Sequence, residues 1–147
     1  MMKFLKNLFS TEKNTTDTID NSDLNIAIIA ILLRASSIDG NKNELELGMI
    51  KDISITDLNI KENEFDNLYS RAIEEEDFSA DIYKWTKIVN DNCDENIKLN
   101  IFRSACKIVN ADGNIDPFES NFTRRLSGLL YITDKQSGEI KKEFKEL

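Results

Sequence analysis

The chain contains no histidine. That excludes Ser-His-Asp and Cys-His catalysis, zinc sites built on imidazole and histidine-based pH switching. Cysteine is scarce too. Cys93 and Cys106 stand 13 apart with no CxxC pairing, so neither a thioredoxin-type site nor a zinc knuckle is supported. They read as buried, reduced thiols of a cytoplasmic protein. No long hydrophobic run exists: the longest, Ile26 to Leu33, is far too short to span a bilayer. The first nine residues lack the apolar stretch and small-residue cleavage site of a signal peptide. The expectation is a cytoplasmic protein, at most peripheral to the inner membrane. Basic residues are outnumbered, 19 against 27 acidic, for a net charge of −8 and a pI near 4.6. Nucleic acid is therefore not an expected partner, since a phosphate backbone needs a Lys/Arg face and Arg124-Arg125 and Lys141-Lys142 do not make one. There is no Gly-rich phosphate loop and no nucleophile motif, and the reading is of a protein that is not an enzyme.

What is present is helical periodicity. The 147 residues suit one domain with a real core. With one proline and five glycines, little interrupts it. Leu24 to Leu33 is apolar except for Asn25 and predicts a helix buried on nearly all sides. Leu45, Met49 and Ile53 mark a second helix, and Phe65, Leu68, Tyr69, Ala72 and Ile73 a third. Ile82, Trp85, Ile88 and Val89 mark a fourth, with Ser79 as its expected cap and Trp85 as a core anchor. Ile97, Ile101, Ala105, Ile108 and Val109 give a fifth; Phe118, Phe122, Leu126, Leu129 and Leu130 a sixth. Thr133 and Gln136 form a capping box opening a seventh helix, with Ile140, Phe144 and Leu147. Glu74-Glu75-Glu76-Asp77 reads as a solvated charge run.

The distinctive chemistry is repeated. Asp39-Gly40-Asn41-Lys42-Asn43-Glu44-Leu45-Glu46 matches Asp112-Gly113-Asn114-Ile115-Asp116-Pro117-Phe118-Glu119 at an offset of 73 residues. The match runs outward through Ile28/Ile101, Met49/Phe122 and Ile53/Leu126. The expected fold class is all-α, a compact bundle of about seven helices built from two pseudo-symmetric helix–loop–helix repeats. Capping accounts for most of the motif. Gly40 and Gly113 suit a left-handed helix end, Asn43 and Asp116 an N-cap, Pro117 the first helical position, and Glu46 and Glu119 the third. Asp39 and Asp112 remain over, each a negative charge at a helix C-terminus, where the dipole disfavours it by ~0.3–1 kcal/mol. A bound cation supplies a second reading. Asp112, Asn114, Asp116 and Glu119, and more weakly Asp39, Asn41, Asn43 and Glu46, are oxygen donors of the kind Ca²⁺ or Mg²⁺ prefers. Neither loop is an EF-hand, because the glycine follows the first aspartate directly and the glutamate comes too soon.

From about Asn25 to Thr133 these residues resemble the TerB family, the helical tellurite-resistance proteins. The resemblance is strongest over Arg34–Gly40, Asp81–Thr86 and Val109–Glu119, continuing into Arg124–Leu130. It implies about seven helices with internal pseudo-symmetry, acidic loop residues that chelate metal, and a role in tellurite or other chemical stress at the bacterial membrane. A related domain forms the N-terminal part of a membrane-anchored DnaJ-type co-chaperone. By position, the resemblance makes Asp39, Glu46, Asp112, Asp116 and Glu119 candidate ligands. Asn43 stands where the family often has aspartate, leaving the first loop one charge fewer.

Ahead of this domain (23–147), residues 1–9 predict a short amphipathic helix and residues 10–22 a flexible polar linker. Phe4, Leu5, Leu8 and Phe9, with Lys3 and Lys6, suit a weak membrane-surface contact or a protein partner's groove. Docking on the protein's own body, or on a second copy in a homo-oligomer, suits them equally.

Overall fold

The computed structural model describes residues 21–36, 44–76, 80–111 and 117–145, apart from the side chains at 21, 44–46 and 145. Seven α-helices follow one another and no strand occurs among the described residues: α1 (Asn21–Ser36), α2 (Glu44–Thr56), α3 (Glu62–Glu75), α4 (Tyr83–Asn92), α5 (Glu95–Val109), α6 (Pro117–Leu129) and α7 (Asp134–Lys145). Each helix expected from periodicity is found. α1 begins at Asn21, two residues inside the stretch expected as linker. The rest of that stretch, and the amphipathic segment before it, lie outside the described residues.

α1 is the axis of the fold. Every residue from Ile26 to Leu33 is at most 4% exposed. The helix packs on α3, α4 and α5, and also on α2. Isoleucine is not a strong helix former, costing up to ~0.7 kcal/mol per residue against alanine. Burying an isoleucine side chain contributes about 1.5–3 kcal/mol, so packing outweighs propensity at Ile26, Ile28, Ile29 and Ile31. The remaining helices are one-sided. Phe65, Leu68 and Ala72 of α3, Trp85 and Val89 of α4, and Ile101, Phe102, Ala105, Ile108 and Val109 of α5 turn inward around α1. α6 and α7 close over α5, and α4 also meets α6.

The 73-residue offset reappears in the helix boundaries. α2 and α6 are both 13 residues long and begin at Glu44 and Pro117, 73 positions apart. The paired positions share burial: Ile28 with Ile101 and Ile53 with Leu126 are buried, while Met49 and Phe122 are half-buried against the core.

Helix ends follow local chemistry. Asp94 caps α5 by accepting the Ile97 N–H at 2.9 Å. The α2–α3 connection turns at Asn59, φ 61°, a residue that tolerates the left-handed region, and Ile60 N–H donates to the Ser54 carbonyl at 2.9 Å. α6 ends in a Schellman motif, with Ile132 N–H donating to Ser127 O (2.9 Å) and Tyr131 N–H to Gly128 O (3.1 Å). The left-handed position there is Tyr131, φ 60°, where glycine is usual. The α7 capping box forms as read: Gln136 N–H donates to Thr133 Oγ1 (3.1 Å), and Thr133 N–H to Gln136 Oε1 (3.0 Å). Thr133→Ala should therefore lower the unfolding free energy by about 0.5–2 kcal/mol. Urea denaturation measures this, and Thr133→Ser should keep most of the stability because its hydroxyl can still cap.

Three expectations fail on exposure. Phe118, Ile73 and Ile97, assigned to apolar stripes, are 72%, 44% and 43% exposed. Each lies at the margin of its stripe, where the facing layer has ended. α4 starts from Ile82 with no side-chain cap, and Ser79 lies outside the described residues.

Candidate functional site

Two interhelical segments carry the duplicated motif: 37–43 between α1 and α2, and 112–116 between α5 and α6. Asp39, Asn41, Asn43, Asp112, Asn114 and Asp116 lie outside the described residues, as do Phe4, Leu5, Leu8 and Phe9. Glu46 is the third residue of α2 by backbone. Among the described residues, no three Cys, Asp or Glu side chains cluster as a metal site. What the structure defines is the pair of frames from which the two segments spring.

The second frame shows an inverted polarity. Pro117, Phe118 and Glu119 are the first three residues of α6. Phe118 points outward at 72% exposure, while the Glu119 carboxylate is turned in, leaving the residue 6% exposed. Hydrophobicity alone would dictate the reverse. A buried carboxylate is costly unless hydrogen-bonded or paired with positive charge, so this site is built around the acid. Glu119 does have an interaction of that kind within the fold, and the amide dipoles of the α6 N-terminus favour its charge as well.

The first frame is held by a cluster that the sequence reading missed. Glu76, expected in a solvated charge run, is the C-terminal cap residue of α3, and its side chain is fully buried. Glu74 and Glu75 are exposed as expected. The Glu76 carboxylate accepts from Arg34 Nε at 2.5 Å and from Trp85 Nε1 at 2.6 Å. It joins the last turn of α1, the end of α3 and the first turn of α4. Arg34 lies three residues before segment 37–43, so this ion pair ties the last turn of α1 to the end of α3. Trp85 is the core anchor expected, at 3% exposure, with its indole N–H satisfied here. A signal was present: Glu76 continues the Phe65–Leu68–Ala72 stripe one turn beyond Ala72.

Other charges lock helices at the surface. Arg103 forks onto Glu143 (3.0 and 3.3 Å), joining α5 to α7. Lys107 reaches Asp57 at 3.1 Å. Arg125 holds Asp81 through both carboxylate oxygens, and that hydrogen-bonded guanidinium keeps the Asp81 carboxyl below the ordinary aspartate range. Asn90 of α4 donates to the Leu129 carbonyl at 2.8 Å, satisfying an end carbonyl of α6.

Both cysteines are free, as read. Burial pushes the Cys93 thiol up to about 11, with the Asp94 charge adding to it, and burial pushes Cys106 up to about 12. Both stay neutral at physiological pH and are poor nucleophiles.

No helix among the described residues is long and apolar enough to cross a membrane. None of the curated proteins matches this chain. Among solved structures, a crystallised protein of unknown function from Porphyromonas gingivalis W83 superposes with a TM-score of 0.62. It is 17% identical, over 94% of this chain and 99% of its own, a likeness of fold alone. The family described as Tellurite resistance protein TerB matches residues 25–142, all seven helices nearly end to end, with both Asp-Gly segments inside the match. The helix order, the doubled interhelical motif and that match agree, and the chain belongs to the TerB family.

Proposed function

We propose that this is a non-enzymatic stress-response protein of the TerB type that binds a divalent cation at its second Asp-Gly segment. The carrying observation is Glu119: an acid buried at 6% exposure in the first turn of α6, directly after Asp112–Asp116, beside a phenylalanine left in solvent. The donor set is all oxygen, from Asp112, Asn114, Asp116 and Glu119, which suits Ca²⁺ or Mg²⁺ rather than zinc. Bound there, the ion would neutralise the acids of the segment that links α5 to α6. The first segment, with Asp39, Asn41, Asn43 and Glu46, has one carboxylate fewer and would bind more weakly.

A cation that binds only the folded state stabilises it by mass action, about 2.7 kcal/mol at a hundredfold excess over Kd. Titration calorimetry with Ca²⁺, Mg²⁺ and Zn²⁺ should give saturable heat with one of the first two. The melting temperature should rise with it, and Asp112→Asn and Glu119→Gln should abolish both effects. Amide resonances of Gly113 should move before those of Gly40. Absence of heat at millimolar cation ends this reading. The second reading then stands, a metal-free protein–protein or membrane adaptor. It is favoured by two aromatic side chains at the ends of α6, Phe118 and Tyr131, at 72% and 76% exposure.

A further inference from the structure

A cleft of about 260 Å³ opens between the C-terminal half of α5 and the adjoining faces of α6 and α7. Cys106, Val109 and Asn110 line it from α5, Ser120, Thr123 and Arg124 from α6, and Lys141 from α7. Its charge is out of keeping with the molecule. The chain carries −8, yet among the described residues that line this cleft both charged groups are cations.

Pairing elsewhere makes the contrast sharper. Five described cations pair with a carboxylate from another part of the fold: Arg34–Glu76, Lys51–Asp66, Arg103–Glu143, Lys107–Asp57 and Arg125–Asp81. Among the described residues, Arg124 and Lys141 form no ion pair. Arg124 makes one long hydrogen bond, to Asn121 Oδ1 at 3.4 Å. Lys141 is half-buried, and its positive charge acts on the Cys106 thiol in the cleft wall. The Asn110 amide nitrogen donates to the Cys106 carbonyl at 2.7 Å with one of its two hydrogens, and the Thr123 hydroxyl donates to the Ser120 carbonyl at 3.1 Å. The donors left for a guest are the ammonium, the guanidinium, the Ser120 hydroxyl and the second Asn110 amide hydrogen. An ammonium and a guanidinium flanking a hydroxyl complement a compact oxyanion. The volume falls just below the ~300–1,000 Å³ usual for drug-sized ligands, which suits one phosphate group rather than a nucleotide.

We propose that the α5–α6–α7 cleft binds a phosphate group through Lys141, Arg124 and Ser120. The inference is independent of the cation reading and concerns a different set of side chains. A free phosphate and the phosphomonoester headgroup of a lipid share this chemistry, and the test separates them.

The full chain, in metal-free, low-chloride buffer, is titrated with inorganic phosphate and, separately, with phosphatidylcholine vesicles containing one-tenth phosphatidic acid. Amide shifts of Asn110, Ser120 and Thr123 report the first arm and co-sedimentation the second. Saturation in either arm is expected. Lys141→Gln and Arg124→Gln should each weaken it by about tenfold or more, the loss expected for one charge-assisted hydrogen bond. Lys142→Gln, at an exposed neighbour, should change it less than twofold. Saturation with phosphate assigns a soluble ligand, and capture by vesicles alone assigns a headgroup. No saturation in either arm overturns the proposal. So does binding that survives both substitutions, or that Lys142→Gln weakens equally. Melting curves check that each variant is folded.

Discussion

Glu76→Ala should cost about 3–5 kcal/mol of unfolding free energy, the loss typical when one partner is removed from a buried ion pair. The carboxylate is fully out of water, and it receives both the Arg34 guanidinium and the Trp85 indole N–H. Without it, a guanidinium only 14% exposed loses this counter-charge, and a buried N–H loses its acceptor. Urea denaturation followed by fluorescence is well suited, because Trp85 is the single tryptophan and sits in the cluster itself. Glu76→Gln should lose less, since an amide oxygen still accepts from the indole. Arg34→Met combined with Glu76→Leu should recover part of the loss, because an apolar replacement of both charges removes the desolvation cost along with the attraction. A loss under ~1 kcal/mol for Glu76→Ala would show the pair behaving like a solvated surface bridge, and the frame proposed for segment 37–43 would fail with it.

Phe102→Ala should cost about 3–5 kcal/mol, and Phe118→Ala no more than about 0.5. Both are phenylalanines on amphipathic helices. Phe102 is 0% exposed on α5, next to Ile101 and within the layer that covers α1. Truncating it removes transfer energy and leaves a cavity that close-packed neighbours cannot fill. Phe118, in the first turn of α6, already stands in water at 72% exposure. Equal losses for the two would contradict the α6 orientation that also buries Glu119. Chemical denaturation with matched m-values makes the comparison.

The seven helices were legible because the apolar spacing in each was regular, and because Thr133 with Gln136, and Pro117, mark starts by chemistry within one turn. The central place of α1 was legible as well, since only a helix enclosed on all sides can be apolar all round. The family was legible as a resemblance, carried by Arg34–Gly40, Asp81–Thr86 and Val109–Glu119, each a pattern held within a single stretch of chain. The margins of the stripes were less legible. Phe118 and Ile97 satisfy a helical period, but a period locates a face without saying how far the neighbouring layer extends over it.

The sites divide the same way. The candidate cation ligands are a matter of local spacing, so the sequence by itself could nominate them. The Arg34–Glu76–Trp85 cluster and the cleft of Arg124 and Lys141 join residues from separate helices. Arg34 and Glu76 are 42 positions apart, and Glu76 stands among acids of identical local character. Sequence determined which segments are helices, which helix lies at the centre and which loops are duplicated, because those depend on periodicity and on contacts within a turn. Tertiary structure alone decided which glutamate loses its water, which phenylalanine keeps it and which of the described cations find a counter-charge. Burial and pairing depend on what the other helices bring to the same point in space.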